Sequence, residues 1–295
     1  MMAAWGTTLL ARMLLAAAVA EPAPGSVLVV AESGIAAYSD AVEGLTGGLG
    51  PGVARVVDVR GAGAARDLTR SLEARETRVV VAVGSRALAE LRARRTLLPV
   101  VATMVLRGAE PEGAGQIDLD VPLGAQLAAV RGLLPRASRA GIIRNPDRSR
   151  YSSEALESQG RKEGYTLVVA DCDGPGHLLK VVGSLKGKVD FLLCFPDPDL
   201  YNAATIQPLV LAAIEYRLPI VGFSPAFVRA GAAVGVYPDY RALGRQAAEM
   251  ALRLERGESG WGEEYPSRLQ VAVNQRVTRL LGLDLRVPAG AEVFR

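Results

Sequence analysis

The chain has 295 residues, 49% of them apolar, which is enough for two domains with their own cores and too apolar for a disordered chain. Lys and Arg number 34 against 31 Asp and Glu, and the two signs are interspersed. The densest basic patch, Arg92, Arg94 and Arg95, reads as a solvated helix end. A nucleic-acid surface would need a broader basic stripe.

At the N-terminus Arg12 precedes an apolar run from Met13 to Ala20. Ala18-Val19-Ala20 puts small residues where a signal peptidase reads, and Glu21-Pro22-Ala23-Pro24 follows as a linker. A signal peptide over 1–20, cleaved after Ala20, is the expectation, and the run is too short to span a membrane. Strands are then predicted at 26–31, 54–59, 78–84 and 98–105, with helices at 33–49, 65–76 and 85–95 between them. Residues 116–120 alternate like an edge strand. The pattern begins again with a helix at 122–134. Strands follow at 139–145, 165–171, 189–195, 218–223 and 232–237. Helices at 152–163, 176–185 and 202–216 alternate with them. A long amphipathic helix covers 240–256, and a strand at 268–274 and the segment 277–283 close the pattern.

Two successive sets of strand–helix units imply an α/β chain with two doubly wound parallel-sheet lobes. The strands are continuous Val/Ile/Leu runs, as expected when both faces are buried. The simplest strand order in each lobe is 2-1-3-4-5. In that order Cys172 and Cys194 lie two strand spacings apart, roughly 9–10 Å. A disulfide needs Cα atoms within about 7 Å, so two free buried thiols are expected.

In such sheets functional loops gather at the carboxyl ends of the strands. Here these tips hold unusual chemistry, above all Cys194-Phe195-Pro196-Asp197-Pro198-Asp199-Leu200-Tyr201 after an apolar strand. Catalytic equipment is missing. His177 is the one histidine, no nucleophile elbow occurs, and neither GAGAAR (61–66) nor GSLKGK (183–188) has phosphate-loop spacing. No cofactor or metal is implied, and an enzyme is disfavoured. Ser33 and Ser85 at predicted helix starts serve either as N-caps or as partners for a carboxylate. Asp197, Asp199 and Asp239 serve either as helix caps and turn formers or as acceptors for a ligand ammonium. Tyr38, Tyr151, Tyr201, Phe223, Phe227 and Tyr237 bring rings to these loops in a chain with few aromatics. Pro196 and Pro198 stiffen the central loop. The sum is a partly aromatic, hydrogen-bonding cleft between two lobes.

Three further stretches carry a resemblance: GLLPRASRAGIIRNP (132–146), RLPIVGFSPAFVRAGAAVGVYPDYRALGRQAAEMALRLERGE (217–258) and LQVAVNQRVTRLLGL (269–283). With VDFLLCFPDPDLYNA (189–203), they resemble the bacterial ABC transporter substrate-binding proteins that include tryptophan and tyrosine receptors. VGSRALAEL (83–91) is similar to the family's first-lobe turn. The resemblance implies a type I periplasmic binding fold that closes on a small ligand in the periplasm. It also implies delivery to a membrane permease, a monomer, and no chemistry. Lobe 1 is then 26–120 plus 238–262, and lobe 2 is 121–237 plus 263–295. The family's Asn-Pro turn is kept as Asn145-Pro146, with Tyr151 where an Asn usually stands, and its Asp-Asn-Thr tip becomes Asp197-Pro198-Asp199. The expected ligand contacts are Ser33, Ser85, Asn145, Tyr151, Asp197, Tyr201, Phe223 and Asp239, and the default ligand is an amino acid or related zwitterion. A second reading is a sensory or assembly module of the same fold that binds a partner protein.

Overall fold

The computed structural model describes residues 22–106, 115–149, 151–258 and 262–295. The expected signal peptide and its cleavage point lie outside these residues. The first lobe begins with β1 (Val27–Ala31), α1 (Ala36–Leu49), β2 (Ala54–Asp58), α2 (Ala64–Leu72), β3 (Val79–Val83), α3 (Ser85–Ala93), β4 (Val100–Val105) and β5 (Gly115–Asp118). The second lobe follows with α4 (Leu123–Leu133), β6 (Arg139–Arg144), α5 (Ser153–Lys162), β7 (Thr166–Asp171), α6 (Leu178–Leu185), β8 (Phe191–Leu193), α7 (Ile206–Glu215), β9 (Ile220–Gly222), α8 (Pro225–Ala230) and β10 (Val234–Pro238). The chain ends with α9 (Tyr240–Glu255), β11 (Glu263–Glu264), β12 (Leu269–Asn274), α10 (Gln275–Leu281) and β13 (Glu292–Phe294).

The first sheet has the order β11-β5-β4-β3-β1-β2 and the second β13-β12-β10-β9-β8-β6-β7. Both contain the expected 2-1-3-4-5 arrangement. Pairing is parallel except between β10 and β12, where Val234 faces Val273. All five residues of β1 and of β3 are buried, because helices cover both faces. The chain passes between the sheets after β5, before α9 and after β11, so α9 packs on the first lobe although it follows a strand of the second.

Three departures from the sequence reading have simple causes. The segment 116–120 is not an edge, because β11 pairs beyond β5 with Glu263 opposite Gln116, and β5 is buried throughout. Thus β11, just past the expected lobe boundary at 262, belongs to the first sheet. α1 starts at Ala36 rather than Ser33, because Gly34 has φ +82° and turns the chain first. α7 starts at Ile206 rather than 202, because Asn202 and Thr205 bond to each other and to the preceding loop. The thiols are as expected: Cys172 and Cys194 are free and buried. Burial pushes the Cys194 thiol up to about 12.

Asp190, before β8, ties the second sheet together. Its carboxylate accepts from the Ser138 and Arg139 backbone N–H groups, both at 2.9 Å, and from Arg139 Nη2 at 2.6 Å. Burial alone would raise its pKa, but the Arg139 bond and the backbone donors bring it below the usual carboxylate range. A lowered pKa contributes stability that is present above the unfolded value, about 3.9, and is lost as pH falls through the folded one. Asp190→Asn is therefore expected to cost about 1 kcal/mol at neutral pH. It should also flatten the acid limb of a melting-temperature profile below about pH 4. An unchanged acid limb would remove Asp190 from this role.

Candidate functional site

The carboxyl ends of both sheets face a cleft between the lobes. Near the lobe crossings it holds a cavity of about 340 Å³ lined from both sides. The first lobe supplies Tyr38 from α1, Ser85 at the start of α3, and Met104 at the end of β4. The second supplies Pro196 to Pro198, Tyr201 and Phe223, and Tyr240 closes the crossing side. Local sequence sets each position. Gly84 (φ +93°) turns β3 into α3 and presents Ser85 at the first helical position, where backbone N–H groups lack helical partners. Met104 has φ +58°, rare for a non-glycine residue, where the β4–β5 register shifts. Strain of this kind concentrates at functional sites.

The Pro-Asp-Pro loop is built by its aspartate. Asp197 Oδ1 accepts from the Asp199 and Leu200 backbone N–H groups at 3.0 and 3.1 Å, which forms a turn, and Asp197 lines the cavity. Tyr201 is buried beneath the loop, and its hydroxyl donates to the Ile143 carbonyl at 3.5 Å. Its ring stands 6.0 Å from Phe223 and from Phe227, which are 5.3 Å from each other. This triad gives the cavity a rigid aromatic wall. Burial raises the pKa of Tyr38, of Tyr201 and of Tyr240, so all three stay neutral hydroxyls at working pH.

A second cavity of about 370 Å³ adjoins the first in the second lobe and shares Leu106, Val121, Gln126 and residues 196–198 with it. Tyr151 and Arg144 line it. The Arg144 guanidinium holds Asp171 at 2.8 Å and donates to the Tyr151 carbonyl at 2.6 Å, fixing the loop after β6. Arg148 pairs with Asp199 at 3.0 Å across the mouth.

Of the eight expected contacts, Ser85, Asp197, Tyr201 and Phe223 come together in the first cavity, and Tyr151 lines the second. Ser33 lies in a separate hollow of the first lobe, which shares Tyr38 with the cleft. Ser33 is not at a helix start, and its N–H is taken by Asp58 Oδ1 at 3.1 Å. Asn145 faces a polar hollow, and its Oδ1 accepts from the Asp147 N–H at 3.1 Å. Asp239 caps α9 by accepting from the Ala242 N–H at 3.0 Å and lines none of these cavities. The sequence reading missed Met104, Gln126 and Tyr240. The signal for Gln126 was available: it is the one polar side chain in Val121–Val130.

Gly84 is tuned to this site. A Cβ there would fall 2.6 Å from the Tyr38 ring, in a backbone conformation that favours glycine. Gly84→Ala is expected to cost about 1–2 kcal/mol of stability and to weaken ligand binding by displacing Tyr38. Thermal unfolding and calorimetry of the variant check both parts, and a wild-type melting temperature would contradict the contact.

The sequence profile described as ABC transporter substrate binding protein matches residues 62–277. The chain belongs to that family. It is a binding protein, not an enzyme. A curated relative of this substrate-binding protein is the tyrosine-binding protein of Clostridioides difficile (strain R20291), 28% identical over 165 residues. That match covers 55% of the chain and 47% of the relative, so the chain spans about half the length of the relative it matches. Among solved structures, the substrate-binding protein is similar to the ligand-free, open form of a substrate binding protein with adhesive properties from Clostridium difficile. The TM-score is 0.71, with 17% identity, over 91% of this chain and 98% of that one. An ABC domain from Streptococcus pneumonia in complex with L-Trp has TM-score 0.57 and 18% identity, over 91% of this chain and 100% of that one. These likenesses establish the fold, two α/β lobes of the type I periplasmic binding class.

Proposed function

We propose that this protein is the exported, periplasmic receptor of an ABC-type uptake system, and that it binds an amino acid or related zwitterion between its lobes. The observation that carries the reading is the first cavity. One carboxylate, Asp197, a helix start at Ser85 and an aromatic wall of Tyr201 and Phe223 meet where the two sheets' carboxyl ends converge. The Asp197 carboxylate accepts the ligand ammonium, the N–H groups around Ser85 accept its carboxylate, and the rings take its side chain. The relative named for tyrosine and the L-Trp complex of the similar fold support an aromatic amino acid as first choice. Ligand closes the lobes by binding the closed state more tightly than the open one. The loaded monomer docks on a membrane permease and needs neither cofactor nor nucleic acid.

A thermal-shift panel on the chain from Glu21, with amino acids, short peptides, nucleosides and organic acids, tests this. A ligand at 100 times its dissociation constant adds about 2.7 kcal/mol, a shift of several degrees. L-tyrosine or L-tryptophan is expected to give the largest shift. A folded chain that answers to nothing in the panel would replace this reading with the partner-binding module of the same fold.

A further inference from the structure

Gln126 sits one turn into α4, at the wall shared by the two cavities. Its neighbours on that helix face, Leu123, Leu127 and Val130, are buried and apolar. Only 2% of Gln126 is exposed. Its amide is half used: Nε2 donates to the Val121 carbonyl at a long 3.4 Å, and Oε1 accepts no hydrogen bond. A buried amide oxygen without a donor destabilises a fold, and an apolar side chain of the same length would avoid that cost. We infer that Gln126 is a ligand-contact residue whose Oε1 accepts a hydrogen bond from an N–H of the ligand when the lobes close. Its place at the shared wall makes it the residue that reads the ligand where the aromatic chamber meets the second one. Specificity of this kind is strong, because a ligand without the matching donor leaves the buried oxygen unpaired.

The inference rests on the reading of the cleft as the ligand site, and the test separates the two. Gln126→Met keeps length and removes both polar atoms, and Gln126→Glu keeps the acceptor. The affinity of each for L-tyrosine and L-tryptophan is measured by calorimetry at pH 7.5, and the melting temperature of each is measured without ligand. Gln126→Met is expected to lose at least about tenfold in affinity while its ligand-free melting temperature stays level or rises by a few degrees. Gln126→Glu is expected to lose less affinity than Gln126→Met, because its carboxyl oxygen still accepts although burial opposes its charge. Equal losses in both variants would assign the contact to the amide N–H and overturn the acceptor role. Unchanged affinity in Gln126→Met would remove Gln126 from the site. If neither amino acid binds the parent protein, the proposed ligand class fails, and the ligand-free comparison decides. A Gln126→Met protein that melts lower than the parent marks the amide as structural and overturns the inference, and one that melts level or higher supports it.

Discussion

Replacing Gly244 by valine is expected to abolish the packing of the first lobe, with a loss of about 3 kcal/mol or more in urea unfolding. α1 and α9 cross with backbone touching backbone. A Cβ on Gly244 would lie 1.9 Å from the Ala41 carbonyl oxygen and 2.8 Å from the Leu45 nitrogen. The reciprocal Gly44 would place one 2.0 Å from the Arg241 carbonyl oxygen. These neighbours are main-chain atoms, so no change of side-chain conformation relieves the clash, and the helices must separate. The cost spreads because α9 brings Leu243, Ala247, Met250 and Ala251 onto the same core as the β1 and β3 strands. Arg241 adds ion pairs to Asp40 and Glu43 at the crossing, but all three side chains are substantially exposed and contribute little. Even Gly244→Ala should be severe. Gly47→Ala, on the same helix α1 with nothing within 4 Å of the added atom, should be neutral or stabilising by up to about 1 kcal/mol. If Gly244→Ala melted like the parent while Gly47→Ala did not, the crossing would be wrong.

The crossing also shows what the sequence makes legible. The strands were readable because Val27–Ala31 and Val79–Val83 are buried on both faces and so lack polar alternation. The order of each sheet then follows from right-handed crossovers. What escaped was set by pairing or by contact. β11 is Glu263-Glu264 and β13 is Glu292–Phe294, short and partly exposed, and they are strands only because β5 and β12 offer free edges. α8 was missed although Ser224-Pro225 announces it, with the serine accepting from the Phe227 N–H and the proline at the first position. The site divided in the same way. Residues at strand tips, Ser85, Asp197, Tyr201 and Phe223, line one cavity because topology gathers tips. Ser33 was misplaced at a helix start because Gly34 spends a turn before α1 begins. Tyr240 opens α9, where an aromatic residue carries no local mark of function, whereas Gln126 stands out in the sequence as the one polar side chain in Val121–Val130.

Asp197→Asn is expected to weaken a zwitterionic ligand by about 10- to 100-fold, or about 1.5–3 kcal/mol, with little change in stability. The two effects separate because the turn geometry and the charge of the carboxylate have different work. Oδ1 holds the loop through the Asp199 and Leu200 N–H groups, and an asparagine oxygen accepts those bonds equally well. The negative charge is what the substitution removes, and an ammonium held by a carboxylate gains more from charge than from geometry. Asp197→Ala removes both, so it should lose affinity and also melt lower, because the loop between Pro196 and Pro198 loses its turn. Measuring the pair by calorimetry and thermal unfolding therefore distinguishes a charge contact from a loop effect. Equal affinity in the asparagine variant would mean that the ligand presents no cation to Asp197. The aromatic wall and the helix start at Ser85 would then point to an organic acid rather than an amino acid. Equal losses in both variants, with stability intact, would assign the whole contribution of Asp197 to its charge and leave the shape of the cleft to Tyr201 and Phe223.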